Sequence, residues 1–164
     1  MAWGEQGVAP RTIVLMRHAE KTGEAGDRGL SPAGRVRAER LATWIPEAFG
    51  RPDFLIAAAD SPKSRRSNLT LEPLARATGA TIDDAVENAE FDVLAVRLLA
   101  DPRYTGKFVV VAWHQGKLPK LANALGAPAG SYPDKWGRET FDRILRLDYG
   151  EGGTPKVEEV RQPF

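Results

Sequence analysis

Two apolar stretches without alternation constrain this chain more than anything else in it. Residues 12–16 (Thr-Ile-Val-Leu-Met) and 108–113 (Phe-Val-Val-Val-Ala-Trp) are rich in β-branched residues and carry apolar side chains on both faces. A strand with one wet face would alternate, so these runs belong to strands covered on both sides, as in a parallel sheet between helical layers. The intervening sequence supplies the helices. Ser31 and Pro32 provide an N-cap and a first-turn proline, Ala38, Leu41, Ala42, Ile45 and Phe49 recur at helical spacing, and Pro46 and Gly50 mark the end. Residues 54–58 read as a second buried strand. Asp60-Ser61-Pro62 repeats the cap-and-proline signal for a second helix, kinked at Pro73 and ending at Gly79.

A short strand is expected near Thr81. Phe91, Leu94, Ala95, Leu98 and Leu99 give a third helical stripe stopped by Asp101-Pro102, and Leu118, Leu121, Ala122 and Leu125 give a fourth, closed by Gly126. Near the end, Leu145, Leu147 and Tyr149 alternate with Arg146 and Asp148, and a glycine-rich turn leads to Val157 and Val160, an edge hairpin over about 141–161. The expectation is one α/β domain over 1–164, a three-layer α/β/α sandwich with a largely parallel central sheet.

Composition narrows the chemistry. With 42% apolar and 27% charged residues in 164, the chain suits a single globular domain. The absence of cysteine removes disulfides, thiolate metal sites and thiol nucleophiles. A formal charge of +1 lacks the basic excess that nucleic-acid binding requires, so no nucleic-acid partner is expected. No apolar run approaches the roughly 20 residues of a membrane span, and residues 1–11 have no apolar core like that of a signal peptide, so neither a membrane nor export is expected and the default compartment is the cytoplasm.

In parallel sheets ligands bind beyond the carboxyl ends of the strands. The first strand ends in Arg17-His18 and the 108–113 strand ends in His114, and these are the two histidines of the chain. If the strands are neighbours, both imidazoles and Arg17 enter one crevice, with Arg65 brought to its rim by the first turn of the second helix. A cation at a helix N-terminus opposes the macrodipole, and a bound anion would explain it. Two imidazoles and two guanidiniums describe an oxyanion site.

The motifs 15–21 (Leu-Met-Arg-His-Ala-Glu-Lys), 30–34 (Leu-Ser-Pro-Ala-Gly) and 61–65 (Ser-Pro-Lys-Ser-Arg), followed by the apolar strand ending in His114, resemble the histidine phosphatase superfamily, with its phosphoglycerate-mutase-like fold. The resemblance spans about residues 11–126, and the short chain is more similar to the small bacterial phosphatases than to the mutases. It implies a metal-free phosphohydrolase, without cofactor, that works through a phosphohistidine on His18. Arg17, Arg65 and His114 would complete the catalytic core, with Lys21 a further ligand for the substrate phosphate. The substrate would be a small phosphomonoester or a phosphoprotein.

Those residue types suit the chemistry. His18 must be neutral at the attacking nitrogen, which a hydrogen bond from its other ring N–H to a backbone carbonyl would secure. Guanidiniums offer bidentate donors to the phosphoryl oxygens. The resemblance puts the general acid between the second arginine and the second histidine, where Glu90 is the choice and Asp92 and Glu87 are rivals. Two alternatives stand beside this reading. One is a metal-dependent hydrolase using His18, His114 and Glu20; the other is a phosphate-binding or regulatory domain without a competent acid. Substrate identity would be set by the loop after Lys21 and by residues 132–136.

Overall fold

Every residue of Thr12–Arg17 and Phe108–Trp113 is buried, as an apolar run without alternation requires. The computed structural model describes residues 9–150 and 153–164; most of the N-terminal stretch read above for a leader (residues 1–8) and two residues of the glycine-rich turn (151–152) lie outside the described residues. In chain order the elements are β1 (Thr12–Arg17), α1 (Pro32–Phe49), β2 (Phe54–Ala57), α2 (Arg66–Thr78), β3 (Ile82–Asp83), α3 (Phe91–Ala100), β4 (Phe108–Trp113), α4 (Leu118–Ala124), β5 (Arg143–Asp148) and β6 (Lys156–Arg161).

The strands form one sheet in the order β3-β2-β4-β1-β5-β6. The first four are mutually parallel, and β5 and β6 run antiparallel beside β1. Odd and even residues of β1 enter two separate cores. Ile13 and Leu15 pack with Leu94, Leu98, Leu118 and Leu121 of α3 and α4, whereas Val14 and Met16 pack with Leu41, Ile45, Leu71 and Leu74 of α1 and α2. This is the expected three-layer sandwich with a largely parallel centre. Only β6 of the C-terminal pair lies at the sheet edge; β5 is enclosed between β1 and β6, which explains why Ile144, Leu145 and Leu147 are all buried.

Helix α1 ends as expected, running through Pro46 to Phe49 with Gly50 at its C-cap, and its last turn brings Phe49 against Trp44 and Phe108, at 5.3 and 6.4 Å. One boundary differs from expectation. Helix α2 begins four residues beyond Pro62. Ser61 does accept from the amides of Lys63 and Ser64, at 3.2 and 3.1 Å, but Ser61 and Ser64 also exchange backbone hydrogen bonds, closing a turn instead of a helix. The helix then starts where the Ser64 hydroxyl accepts from the Arg66 amide at 3.1 Å.

The start of α1 is fastened to the segment after β1. The Ser31 hydroxyl caps the Gly34 amide at 3.0 Å, and the Ser31 amide donates to the Glu20 carbonyl at 2.8 Å. Gly34 permits this approach: a Cβ there would overlap the Glu20 carbonyl oxygen and stand 2.9 Å from the Glu20 amide nitrogen. Glycine to alanine inside a helix ordinarily gains about 1 kcal/mol. At Gly34 the sign should reverse, with Gly34→Ala losing about 1 to 3 kcal/mol in urea unfolding from overpacking against fixed backbone; a stabilised variant would show that the contact yields freely.

Candidate active site

Parallel pairing of β1 with β4 sets Arg17 opposite Trp113, so the next residue of each strand is a histidine. The His18 amide donates to the Trp113 carbonyl at 3.0 Å, and the His18 and His114 rings meet edge to face with centroids 5.1 Å apart. The Ala19 amide donates to the Thr70 hydroxyl at 2.8 Å, which itself donates to the Arg66 carbonyl at 2.7 Å. The start of α2 is thereby fastened to the residue after His18.

His18 Nδ1 lies 2.7 Å from the Ala19 carbonyl oxygen. A carbonyl only accepts, so Nδ1 carries the hydrogen and Nε2 keeps its lone pair. Burial pushes the His18 pKa down to about 3; the Ala19 carbonyl opposes the fall, and His114, Arg17 and Arg66 reinforce it. Burial likewise takes His114 to about 4, with Arg66, Arg17 and Lys21 adding to the shift. Both rings are neutral at neutral pH with the crevice empty.

Arg17 is almost wholly buried. Its Nη1 donates to the Arg138 carbonyl at 2.6 Å, the guanidinium lies 3.9 Å from the Phe141 ring centroid, and Nε is buried without a protein partner. Burial lowers its pKa to about 10, against the opposing pull of Glu139 and Glu20, so it stays charged at neutral pH.

The structure separates the two arginines at the start of α2. Arg65 stands at the N-terminal boundary of α2 without a side-chain cap, its side chain 44% exposed and paired with Asp60 at 3.1 Å. Arg66, the first residue of the helix, faces the histidines: it lines a crevice of about 510 Å³ with His114 and Glu87, and its charge is felt by His18, His114 and Arg17. Its Nε donates to the Gly29 carbonyl at 2.9 Å, and its Nη2 to the Asp27 carbonyl. Thr70, one turn after Arg66, fixes the start of the helix through its bond to the Arg66 carbonyl.

The three carboxylates considered for the general acid are all exposed and differ in where they stand relative to the crevice. Glu90 is exposed, closes a 3₁₀ turn at Asn88–Glu90 and does not line the crevice; Asp92 is exposed in the first turn of α3 and does not line it either. Glu87 does line it, on the segment that Trp113 holds by donating from Nε1 to the Asn88 carbonyl at 3.2 Å. Lys21 is exposed yet close enough to lower the His114 pKa. Glu20, the third ligand of the metal alternative, is gripped by Arg37 through both oxygens, at 2.9 and 3.1 Å. Among the described residues no cluster of three histidine or carboxylate side chains could hold a metal ion, and no helix is long and apolar enough to cross a membrane.

No family model matches the sequence, and no curated protein matches it. Solved structures do. A mycobacterial glucosyl-3-phosphoglycerate phosphatase in complex with inorganic phosphate aligns over 94% of this chain and 97% of its own, with TM-score 0.63 and 17% identity. The protein histidine phosphatase SixA complexed with tungstate aligns over 92% and 96%, with TM-score 0.61 and 16% identity. The phosphoglycerate mutase of Plasmodium falciparum aligns over 91% and 89%, with TM-score 0.54 and 14% identity. The chain has the phosphoglycerate-mutase-like fold. In this phosphoglycerate-mutase-like chain the histidine pair stands at the carboxyl ends of the two central strands, where a parallel sheet opens to ligand.

The neutral histidines set a pH dependence. The unfolded chain takes up protons at both near pH 6.5, whereas the folded chain resists until about 3 for His18 and about 4 for His114. Below pH 6.5 the unfolded state therefore holds more protons, and stability falls as pH falls, on the order of 2 kcal/mol per histidine by pH 5. Between pH 7 and 5 the urea midpoint of the wild type should drop more steeply than that of a His18→Asn, His114→Asn double variant. Parallel slopes would mean that the folded rings accept protons as freely as the unfolded ones.

Proposed function

We propose that the protein is a phosphohydrolase of the histidine phosphatase superfamily that removes a phosphoryl group from a phosphomonoester or a phosphoprotein through a phosphohistidine on His18. The observation that carries the reading is the tautomer of His18: with Nδ1 engaged by the Ala19 carbonyl, Nε2 is an unprotonated nucleophile, its ring edge to face with His114 and within the fields of Arg17 and Arg66. The fold shared with solved phosphatases supports it.

In this scheme the phosphoryl oxygens are met by Arg17, Arg66 and His114, with Lys21 at the rim. Nε2 of His18 attacks phosphorus in line with the departing oxygen, the bond to the leaving group breaks, and Glu87 gives that oxygen its proton. A water molecule, deprotonated by the same carboxylate, then attacks the phosphohistidine, returning the electron pair to Nε2 and releasing inorganic phosphate. The arginines and His114 supply the charge stabilisation that a dication supplies elsewhere, so the reaction runs without metal. Dianion binding also brings His114 the negative charge that the empty crevice lacks, raising its affinity for a proton when the proton is useful.

Rapid quench with an aryl phosphate under conditions that preserve acid-labile phosphate should add one phosphoryl group to the wild type and none to His18→Ala. Arg66→Ala should slow formation of that adduct by about 10²-fold or more, while Arg65→Ala leaves it near wild type. A phosphoserine, or an unchanged adduct in His18→Ala, would overturn the mechanism.

The role of Glu87 is read by leaving group. A general acid contributes roughly 10²- to 10⁴-fold only where the leaving oxygen needs a proton. Glu87→Gln should slow hydrolysis of an alkyl phosphate far more than that of 4-nitrophenyl phosphate, and Glu90→Gln should slow neither. Equal slowing of both substrates by Glu87→Gln would make the residue a support for the crevice and not its acid.

A further inference from the structure

The Arg17 guanidinium is held from two directions by one loop, residues 136–141. Nη1 donates to the Arg138 carbonyl at 2.6 Å and stands 3.5 Å from the carbonyls of Gly137 and Thr140. The Phe141 ring lies against the guanidinium, centroid 3.9 Å from its central carbon, and the same ring lies 6.4 Å from that of His18. The loop is itself braced: the Thr140 amide donates to the Gly137 carbonyl at 3.1 Å, and Nε1 of the buried Trp136 donates to the Thr140 carbonyl at 3.2 Å. Bracing of this kind turns a loop into a fixed surface. Nε of Arg17 is left buried and unpartnered, which in a folded protein calls for a ligand.

A guanidinium offers an oxyanion either its end, through both terminal nitrogens, or its side, through Nε and the neighbouring Nη2. Carbonyls on Nη1 close the first option and leave the second. We propose that the 136–141 loop is the positioning element for Arg17 and Phe141 its positioning residue, turning the Nε edge of the guanidinium toward the phosphoryl oxygens. The assignment rests on the phosphoryl-transfer reading above and adds to it a residue that touches neither substrate nor phosphorus. An arginine otherwise loses rotamer freedom when it binds, and a group already fixed where charge develops does not have to reorganise during the reaction. Phe141 contributes the face on which the cation rests, and its ring beside His18 fixes the nucleophile and the arginine relative to one another.

The test uses the full chain with Phe141→Leu, Phe141→Tyr and Arg17→Lys. Orthovanadate, which becomes five-coordinate when an imidazole nitrogen attacks it, and inorganic phosphate are titrated by calorimetry, 4-nitrophenyl phosphate turnover is measured, and thermal unfolding is followed without ligand. In Phe141→Leu, vanadate binding should weaken and kcat fall by about tenfold each, the effect of a partly desolvated cation–aromatic contact, while KM changes by less than about threefold. Phe141→Tyr, which keeps the ring face, should restore both.

Arg17→Lys keeps the charge without the fork and should lose more than either. If Phe141→Leu lowers only the unfolding temperature, leaving vanadate affinity and kcat within about twofold of wild type while Arg17→Lys loses both, Phe141 is packing and the assignment is overturned with the phosphatase reading intact. If Arg17→Lys also binds and turns over as wild type, the role of Arg17 falls and the assignment with it. Should Phe141→Leu not fold, Phe141→Met, of similar bulk without an aromatic face, is read by the same criteria.

Discussion

The hydrogen bond from the His18 amide to the Trp113 carbonyl, 3.0 Å long, carries the β1–β4 ladder one residue past the end of β1, and the crevice depends on it. Parallel strands in this register bring residues that are 96 positions apart in the chain (114 minus 18) to the same level of the sheet. A slip of one residue would turn His18 to the opposite face and exchange the two cores that β1 feeds, since its odd residues belong to one and its even residues to the other. Core packing and site geometry are thus fixed by one pairing. The contacts beyond the ladder follow the same logic: Thr70 joins the amide of Ala19 to the carbonyl of Arg66, and Trp113 reaches across to the carbonyl of Asn88. Each ties a separate element to the ends of β1 and β4.

What was legible in the sequence was whatever periodicity or capping writes into side chains. The strands at 12–16 and 108–113 announced themselves by lacking alternation, and their shared ending in histidine pointed to their carboxyl ends, where the structure brings the two rings together. The differences came from local geometry. Ser61-Pro62 carries the same signature as Ser31-Pro32, yet the first closes a turn while the second opens α1, and α2 begins only where the Ser64 hydroxyl accepts from the Arg66 amide. Neighbouring residues at a helix start point about 100° apart, which is why Arg65 and Arg66 go to different surroundings. Of the three carboxylates that the sequence offered, Glu87 alone lines the crevice, because a 3₁₀ turn intervenes before α3 and carries Glu90 away from it.

The sequence carried no signal for what the 136–141 loop does for Arg17. Its contribution to Arg17 consists of backbone carbonyls and one aromatic face, and carbonyls have no residue type. Of residues 132–136, expected to set substrate identity, Trp136 is buried and braces the loop that follows. Backbone acceptors are available to any sequence that folds into the right turn, so sites built from them are found only once the turn is seen.

The choice of acceptor also separates the arginines by what they can do. A buried guanidinium needs its hydrogen bonds satisfied, and either a carboxylate or a carbonyl can satisfy them. A carboxylate also cancels the charge. Arg65 takes that course with Asp60, and Arg37 takes it with Glu20, so both are largely spent as sources of positive potential. Arg17 and Arg66 are instead tethered to the carbonyls of residues 137–140 and 27–29, which are dipoles without net charge. Their fields reach the histidines, where they help hold both imidazoles neutral. In the proposed reaction a dianion would meet two arginines held by backbone dipoles with no ion pair to break first, and neutral imidazoles with nitrogen lone pairs intact. Burial is the main reason that the pKa of Arg17 and of both histidines is lowered, and negative charge beside these groups would act in the opposite direction.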